Sequence, residues 1–159
     1  MTRSVGPDLR AQWCRLSAFP GGKWLFSRLL GSYVPYTGTL GACIEVLEPG
    51  HCVVKLRDRR NVRNHLKSVH AMALANLGEM STGLALLNGL PDNTRGILAG
   101  FHVNYLKKAR GALVAECRCA VPENNHECEI EVMCEIRDAT GDVVTEVRAH
   151  WFIGPEKSA

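Results

Sequence analysis

The sequence predicts an α+β fold in which a six-stranded antiparallel sheet curls round one long helix, with short helices ahead of it. Three observations carry that expectation. The stretch from Val69 to Asn88 is rich in Ala, Leu and Met and poor in β-branched residues, which is the composition of a helix. Two segments before it and four after it carry the β-branched, apolar or alternating patterns of strands. At 159 residues, 46% hydrophobic and 22% charged, the chain has ordinary globular composition. That length suits one domain, which buries about two-thirds of its unfolded surface.

Residues 7–17 and 20–31 read as two helices parted by Pro20-Gly21-Gly22, and Pro35 ends that segment. We therefore expect a helical extension over 1–36 and a core over 37–153, in a single domain spanning 1–159. Residues 39–47 and 51–57, either side of Glu48-Pro49-Gly50, read as a hairpin. A polar, Arg-rich loop over 58–67 leads into the helix of about 69–88, with Ser68 as the expected N-cap and Gly89 just beyond its end. Its apolar residues surround it instead of forming one stripe, which predicts burial on nearly all sides. After Pro91-Asp92-Asn93, strands are expected at 96–106, 112–121, 126–137 and 142–153. Alternation from Glu127 to Val132 puts acids on one face, and Asp138-Ala139-Thr140-Gly141 supplies the last hairpin turn. Six strands wrapped round one helix bury it with short connections, and that is the hotdog architecture.

The net charge, 19 − 16 = +3, hides an asymmetry. Six basic residues against Asp58 run from Lys55 to Lys67, and Lys107, Lys108 and Arg110 form a second cluster. Nine acids against Arg118 and Arg137 fall between Glu116 and Glu146. Most such charges are solvated surface; where the basic ones act, they suit a phosphorylated ligand. The modest excess, without interleaved aromatics, argues against nucleic acid. No run approaches the roughly 18 apolar residues of a membrane span, and the first residues lack a signal peptide's apolar stretch. Seven cysteines without a C-x-x-C pair read as reduced, packed thiols, so a cytoplasmic protein is expected. The histidines show no metal-ligand spacing, and neither metal nor cofactor is expected.

Glu79 lies in a segment otherwise made of Leu, Ala, Met, Gly and small hydroxyl residues. Desolvating a carboxylate costs several kcal/mol without compensation. Glu79 therefore either meets an interface or a local donor, or it is a base or nucleophile poised by burial. Ala71, at the helix start, offers an unpaired N–H and the positive end of the dipole to an oxyanion. Two helical turns span about 11 Å, so the two groups of one chain do not meet at one reacting carbon, and a second subunit closes the gap. Asn64, before the helix, either orients a water or a carbonyl or is a plain turn residue. The lone sheet also leaves edges that a two-fold partner would cover.

The segment Asn64-His65-Leu66-Lys67-Ser68-Val69-His70-Ala71-Met72, with Glu79 nine residues after His70, resembles the motif of the PaaI-like and 4-hydroxybenzoyl-CoA thioesterase-like hotdog enzymes. There, Asn or Gln is followed by a small residue at the helix start and then by an acid. With DRRNVRNHLKSVHAMALANLGE and VNYLKKARG, the resemblance to a bacterial branch of the hotdog thioesterase superfamily covers about residues 25–152. It implies hydrolysis of an acyl-CoA or similar thioester at the interface of a homodimer, alone or paired into a dimer of dimers. Carried over, Glu79 is the base or nucleophile, the Ala71 N–H is the oxyanion donor, and Asn64 is a positioning group from the facing subunit.

The family usually has His-Gly-Gly where this chain has His70-Ala71-Met72, so the Met72 side chain crowds the substrate's path. His70 borders that path and reads as a packing residue at the helix start before it reads as a proton carrier. Arg59, Arg60, Arg63, Lys107, Lys108 and Arg110 are candidates for contacting nucleotide phosphates. The alternative is a non-catalytic hotdog module that holds acyl-CoA or a fatty acyl ligand. Ala71-Met72 favours the module and Glu79 favours hydrolysis. Trp24, Phe26 and Tyr33 are expected to pack over the open side of the sheet, and Cys117 and Cys119 to pack on one strand face.

Overall fold

The computed structural model describes residues 5–156, so residues 1–4 of the expected extension fall outside the described residues. Three helices come first: α1 (Val5–Ser17), α2 (Gly22–Tyr33) and α3 (Pro35–Gly38). The hairpin β1 (Cys43–Glu48) and β2 (His51–Leu56) follows, then a single 3-10 turn at Arg60–Val62 and the long helix α4 (Ala71–Leu87). Strands β3 (Thr94–Tyr105), β4 (Leu113–Arg118), β5 (Cys128–Arg137) and β6 (Val143–Pro155) complete the chain. All six strands join one sheet in the order β1-β2-β4-β5-β6-β3, and every neighbouring pair is antiparallel.

The central helix touches every strand. Its closeness to β6 depends on two missing side chains. A Cβ at Gly78 would lie 2.4 Å from Cγ2 of Val147, and one at Gly83 would lie 3.1 Å from the Trp151 indole. The inward positions of the strands, Val54, Leu113, Val132, Ile136 and Val147 among them, close over Leu77 and Leu86 and are fully buried. The turns behave as their residues demand: Gly50 (φ 75) and Gly141 (φ 89) occupy the left-handed region that closes each hairpin.

Several boundaries differ from the sequence expectation for identifiable reasons. Helix α4 starts two residues later because His70, in place of Ser68, is its N-cap: Nδ1 accepts the Met72 N–H at 3.0 Å. Ser68 is buried, and its hydroxyl donates to Asn64 Oδ1 at 3.1 Å. Strand β1 starts at Cys43 instead of 39 because the residues after Pro35 coil into α3, whose Gly38 packs directly on Gly31. Strand β4 ends at Arg118, three residues early, while β3 begins at Thr94 and β6 reaches Pro155 because those two pair along their full length.

Of the three aromatics expected on the sheet, Phe26 alone is buried, with its ring 5.1 Å from Trp13 in an edge-on contact. Trp24 (62% exposed) lies on the outer face of α2, and Tyr33 (76%), on the Phe26 side, is exposed as the last residue of the helix. Helical periodicity groups residues into faces, yet Phe26 and Trp24 sit on different faces of α2, and packing on β1 selected the Phe26 side. Cys117 is buried as expected, and the seven cysteines are free. No helix among the described residues is long and apolar enough to cross a membrane.

Candidate active site

The loop before α4 is organised by Asn64. Its Oδ1 accepts the Leu66 N–H (2.9 Å), the Ser68 N–H (3.2 Å) and the Ser68 hydroxyl (3.1 Å), and Lys67 closes the loop with φ 56. Asn64 is thus a turn residue through its oxygen. Its carboxamide nitrogen has no partner among the described residues, which leaves it as a donor and removes it as an acceptor. The loop is tied to the helix by His70 N–H to the Val62 carbonyl (2.8 Å) and by Val69 N–H to the Ala109 carbonyl (2.9 Å). Segments 60–63 and 108–110 therefore meet at the start of α4.

Capping leaves one amide free there. The Met72 N–H goes to His70 Nδ1, and the Ala73 and Leu74 N–H groups both go to the His70 carbonyl. Of the first four helical amides, Ala71 N–H alone has no partner among the described residues. The Ala71 carbonyl accepts the Tyr105 hydroxyl at 3.0 Å, which ties β3 to the helix start, and burial raises the Tyr105 pKa. Met72 stands beside the free amide, 59% exposed. His70 accepts through Nδ1 at this cap, so a neutral ring carries its proton on Nε2.

Further along α4, Met72, Asn76 and Glu79 recur at i, i+4 and i+7 on the stripe that the sheet leaves uncovered. Glu79 is half-buried, and no hydrogen bond or ion pair reaches its carboxylate among the described residues. Desolvation alone raises its pKa. The neighbouring hydroxyls serve the backbone: Thr82 donates to the Glu79 carbonyl (2.9 Å) and Ser81 to the Leu77 carbonyl (2.8 Å). The sequence reading overlooked Asn76. A lone amide three residues before Glu79 in an apolar helix was its signal.

Eight residues of helix separate Ala71 from Glu79 by about 12 Å, so within one protomer the free amide and the desolvated carboxylate do not address the same atom. The six candidate cations do not form one patch either. Arg63 pairs with Asp58 at 2.5 Å; the Arg63 bond holds the Asp58 carboxyl below its usual range, and Asp58 also accepts the Gly111 N–H. Lys107 bridges Asp138 (2.9 Å) and Asp142 (2.5 Å). Arg59 donates to the Leu40 carbonyl and borders a cleft under α2. Arg60, Lys108 and Arg110 are exposed near the start of α4, with no acid partner among the described residues. Among the described residues, no three His, Cys, Asp or Glu side chains converge closely enough to hold a metal ion.

A single six-stranded antiparallel sheet wrapped on one buried helix is the hotdog fold. The chain belongs to the family described as "Domain of unknown function (DUF4442)", whose model matches residues 22–153. Among curated proteins, none matches it. Its fold is shared with a structural-genomics protein at TM-score 0.80 and 24% identity, covering 93% of this chain and 99% of that one. It is also shared with a protein of unknown function from Pseudomonas aeruginosa described as a probable thioesterase (TM-score 0.73, 22% identity, 87% and 97% covered). A hypothetical thioesterase from Streptococcus pneumoniae, crystallised with coenzyme A, matches at TM-score 0.61 and 20% identity, with 72% and 90% covered.

Proposed function

We propose that this protein is an acyl-CoA thioesterase whose reaction centre is completed by a second copy of the chain. The observation that carries the reading is the Glu79 carboxylate: half-buried, raised in pKa by desolvation and, among the described residues, without a partner, on a helix whose first amide is likewise unpaired among them. A desolvated acid is a competent base for activating water, or a nucleophile toward a thioester carbonyl. An unpaired amide at a helix start suits the oxyanion that forms on that carbonyl. The Asn64 nitrogen, as a donor, would hold the carbonyl oxygen or the water's acceptor side, and Met72 and His70 would border the path to it.

The partner subunit supplies what one chain lacks. Strand β3 is a twelve-residue sheet edge, and no strand pairs with its outer side among the described residues. Ile97, Phe101 and Tyr105 are exposed along it. Pairing β3 with its two-fold copy would continue the sheet, cover those side chains and set one protomer's helix start against the other's Glu79. Arg60, Lys108 and Arg110, exposed near the helix start with no acid partner among the described residues, add a positive potential that draws an anionic ester toward it. The free, buried thiols Cys52, Cys117 and Cys134 suit a reducing compartment, and the cytoplasm is the proposed site of action.

A second reading, a module that binds acyl-CoA without cleaving it, is favoured by Met72 standing in the open beside the Ala71 amide. A panel of short, long and aromatic acyl-CoAs assayed with a thiol reagent separates the two. The proposal expects free thiol release that collapses in Glu79→Gln. Saturable binding of an acyl-CoA without release in the wild type would establish the module instead.

A further inference from the structure

The cleft between α2, α3 and the start of β1, about 340 Å³, takes no part in the site above. Arg28 and Arg59 both line it, and neither Asp nor Glu does. Among the described residues, Arg28 has no acid partner and Arg59 bonds only to the Leu40 carbonyl. Two guanidinium groups in one cavity repel each other until an anion sits between them. Arg59 is also held in place. A Cβ on Gly41 would lie 2.5 Å from its Nη2, and Gly41 sits at φ +55, so the guanidinium packs flat on a backbone that only glycine adopts easily. At the rim stands the exposed indole of Trp24, one helical turn from Arg28 on α2.

Two cations without acids, one of them held in place, suit a phosphate, and an exposed indole beside them adds a stacking platform for a flat ring. We infer that this cleft binds the phosphorylated purine nucleotide end of a coenzyme A ester, with Arg28 and Arg59 on the phosphates and Trp24 against the base. The inference rests on the acyl-CoA reading above and anchors that substrate at residues outside the catalytic stripe. Met80, which lines the cleft from α4, follows Glu79 directly, so the helix that carries the acid also forms one wall of the cleft.

The test is titration of the full-length protein with adenosine 3′,5′-bisphosphate and with coenzyme A, followed by calorimetry and tryptophan fluorescence at low and high salt. Saturable binding is expected, weaker at high salt, with a fluorescence change that disappears in Trp24→Leu. Arg28→Gln and Arg59→Gln should each weaken it by about tenfold or more, as loss of a charged hydrogen bond requires. Gly41→Ala, which keeps both charges but displaces Arg59, should weaken it too, while the exposed Arg15→Ala leaves it unchanged. Arg28 and Trp24 are surface substitutions, so the test does not depend on Gly41→Ala folding. No saturable binding of either probe, or equal binding by the Arg28→Gln/Arg59→Gln double variant, overturns the inference.

Hydrolysis on the same variants separates this inference from the catalytic reading. The anchor predicts a raised KM for acyl-CoA, unchanged kcat, and no effect on acyl-pantetheine, which has no nucleotide. Unchanged kcat/KM for acyl-CoA in the double variant removes the anchor and leaves the hydrolase. Coenzyme A binding through Arg28 and Arg59 without turnover of any thioester removes the hydrolase and leaves the anchor.

Discussion

Replacing Glu79 by Gln keeps the shape of the side chain and deletes its charge, and stability and turnover should then move in opposite directions. The carboxylate is half-buried without a partner among the described residues, and burial raises its pKa above the ordinary 4.5. A folded-state pKa above the unfolded value means that the protonated form is the one folding favours. The wild type therefore loses stability as pH rises through the raised pKa, and below the unfolded value Glu and Gln are equivalent. A fully buried unpaired charge costs several kcal/mol; with the side chain half exposed, relief of about 1 kcal/mol at neutral pH is expected. For a chain of this size that is a rise of about 2–4 °C in Tm. Turnover should fall by roughly 10²–10⁴-fold, the usual contribution of a positioned base. The assay is thermal unfolding of both proteins from about pH 4 to pH 8, with thioester hydrolysis measured in the same buffers. The wild-type kcat/KM should fall on an acid limb set above the ordinary glutamate range. A Gln variant less stable at neutral pH, or a stability difference that ignores pH, would show that the carboxylate is bonded after all. Unchanged turnover would remove it from the chemistry.

Substitutions at four further sites test the surrounding structure. Asn64→Asp keeps an oxygen for all three loop donors but loses the amide donor, so it should retain stability to within about 0.5 kcal/mol while losing turnover. Asn64→Ala should lose both, with about 1–2 kcal/mol of stability gone in urea titration. Gly78→Ala gains about 1 kcal/mol of helix propensity but drives a methyl into Val147, fully buried on β6. Overpacking at the upper end of its 1–3 kcal/mol range makes the net loss about 1–2 kcal/mol, and Val147→Ala in the same chain should recover part of it in a double-mutant cycle. Phe101→Lys on the β3 edge should yield monomers by sedimentation together with loss of hydrolysis; a stable active dimer would show that the protomers pair elsewhere. Asp58→Asn should lower stability by about 1 kcal/mol at neutral pH. Because Arg63 lowers the Asp58 pKa, that difference is present above the unfolded value of 3.8 and vanishes as pH falls through the folded one.

The six strands, the central helix and the two hairpin turns were legible because each rests on local periodicity and turn chemistry. Glu79 stood out for the same reason, as a charge in an apolar helix. The start of that helix was misplaced because local preference favours Ser68 as the cap, and only contacts with distant carbonyls move the cap to His70. Val62 and Ala109 take the His70 and Val69 amides, and Asn64 takes Ser68, which leaves His70 to cap. The basic clusters were visible as charge, but Lys107 meets Asp142 across 35 residues and Arg63 turns to Asp58. Which cations stay unpaired is a property of the folded arrangement.

Composition and spacing were enough to say that one greasy helix would be wrapped by a sheet and would carry a misplaced acid. Local backbone preferences and side-chain polarity act over a few residues, so they can be read in line. Whether the acid finds a partner, which helical amide stays free, and that Arg28 and Arg59 share an acid-free cleft were settled by packing. Those facts depend on contacts between segments far apart in the chain, and no local pattern encodes them.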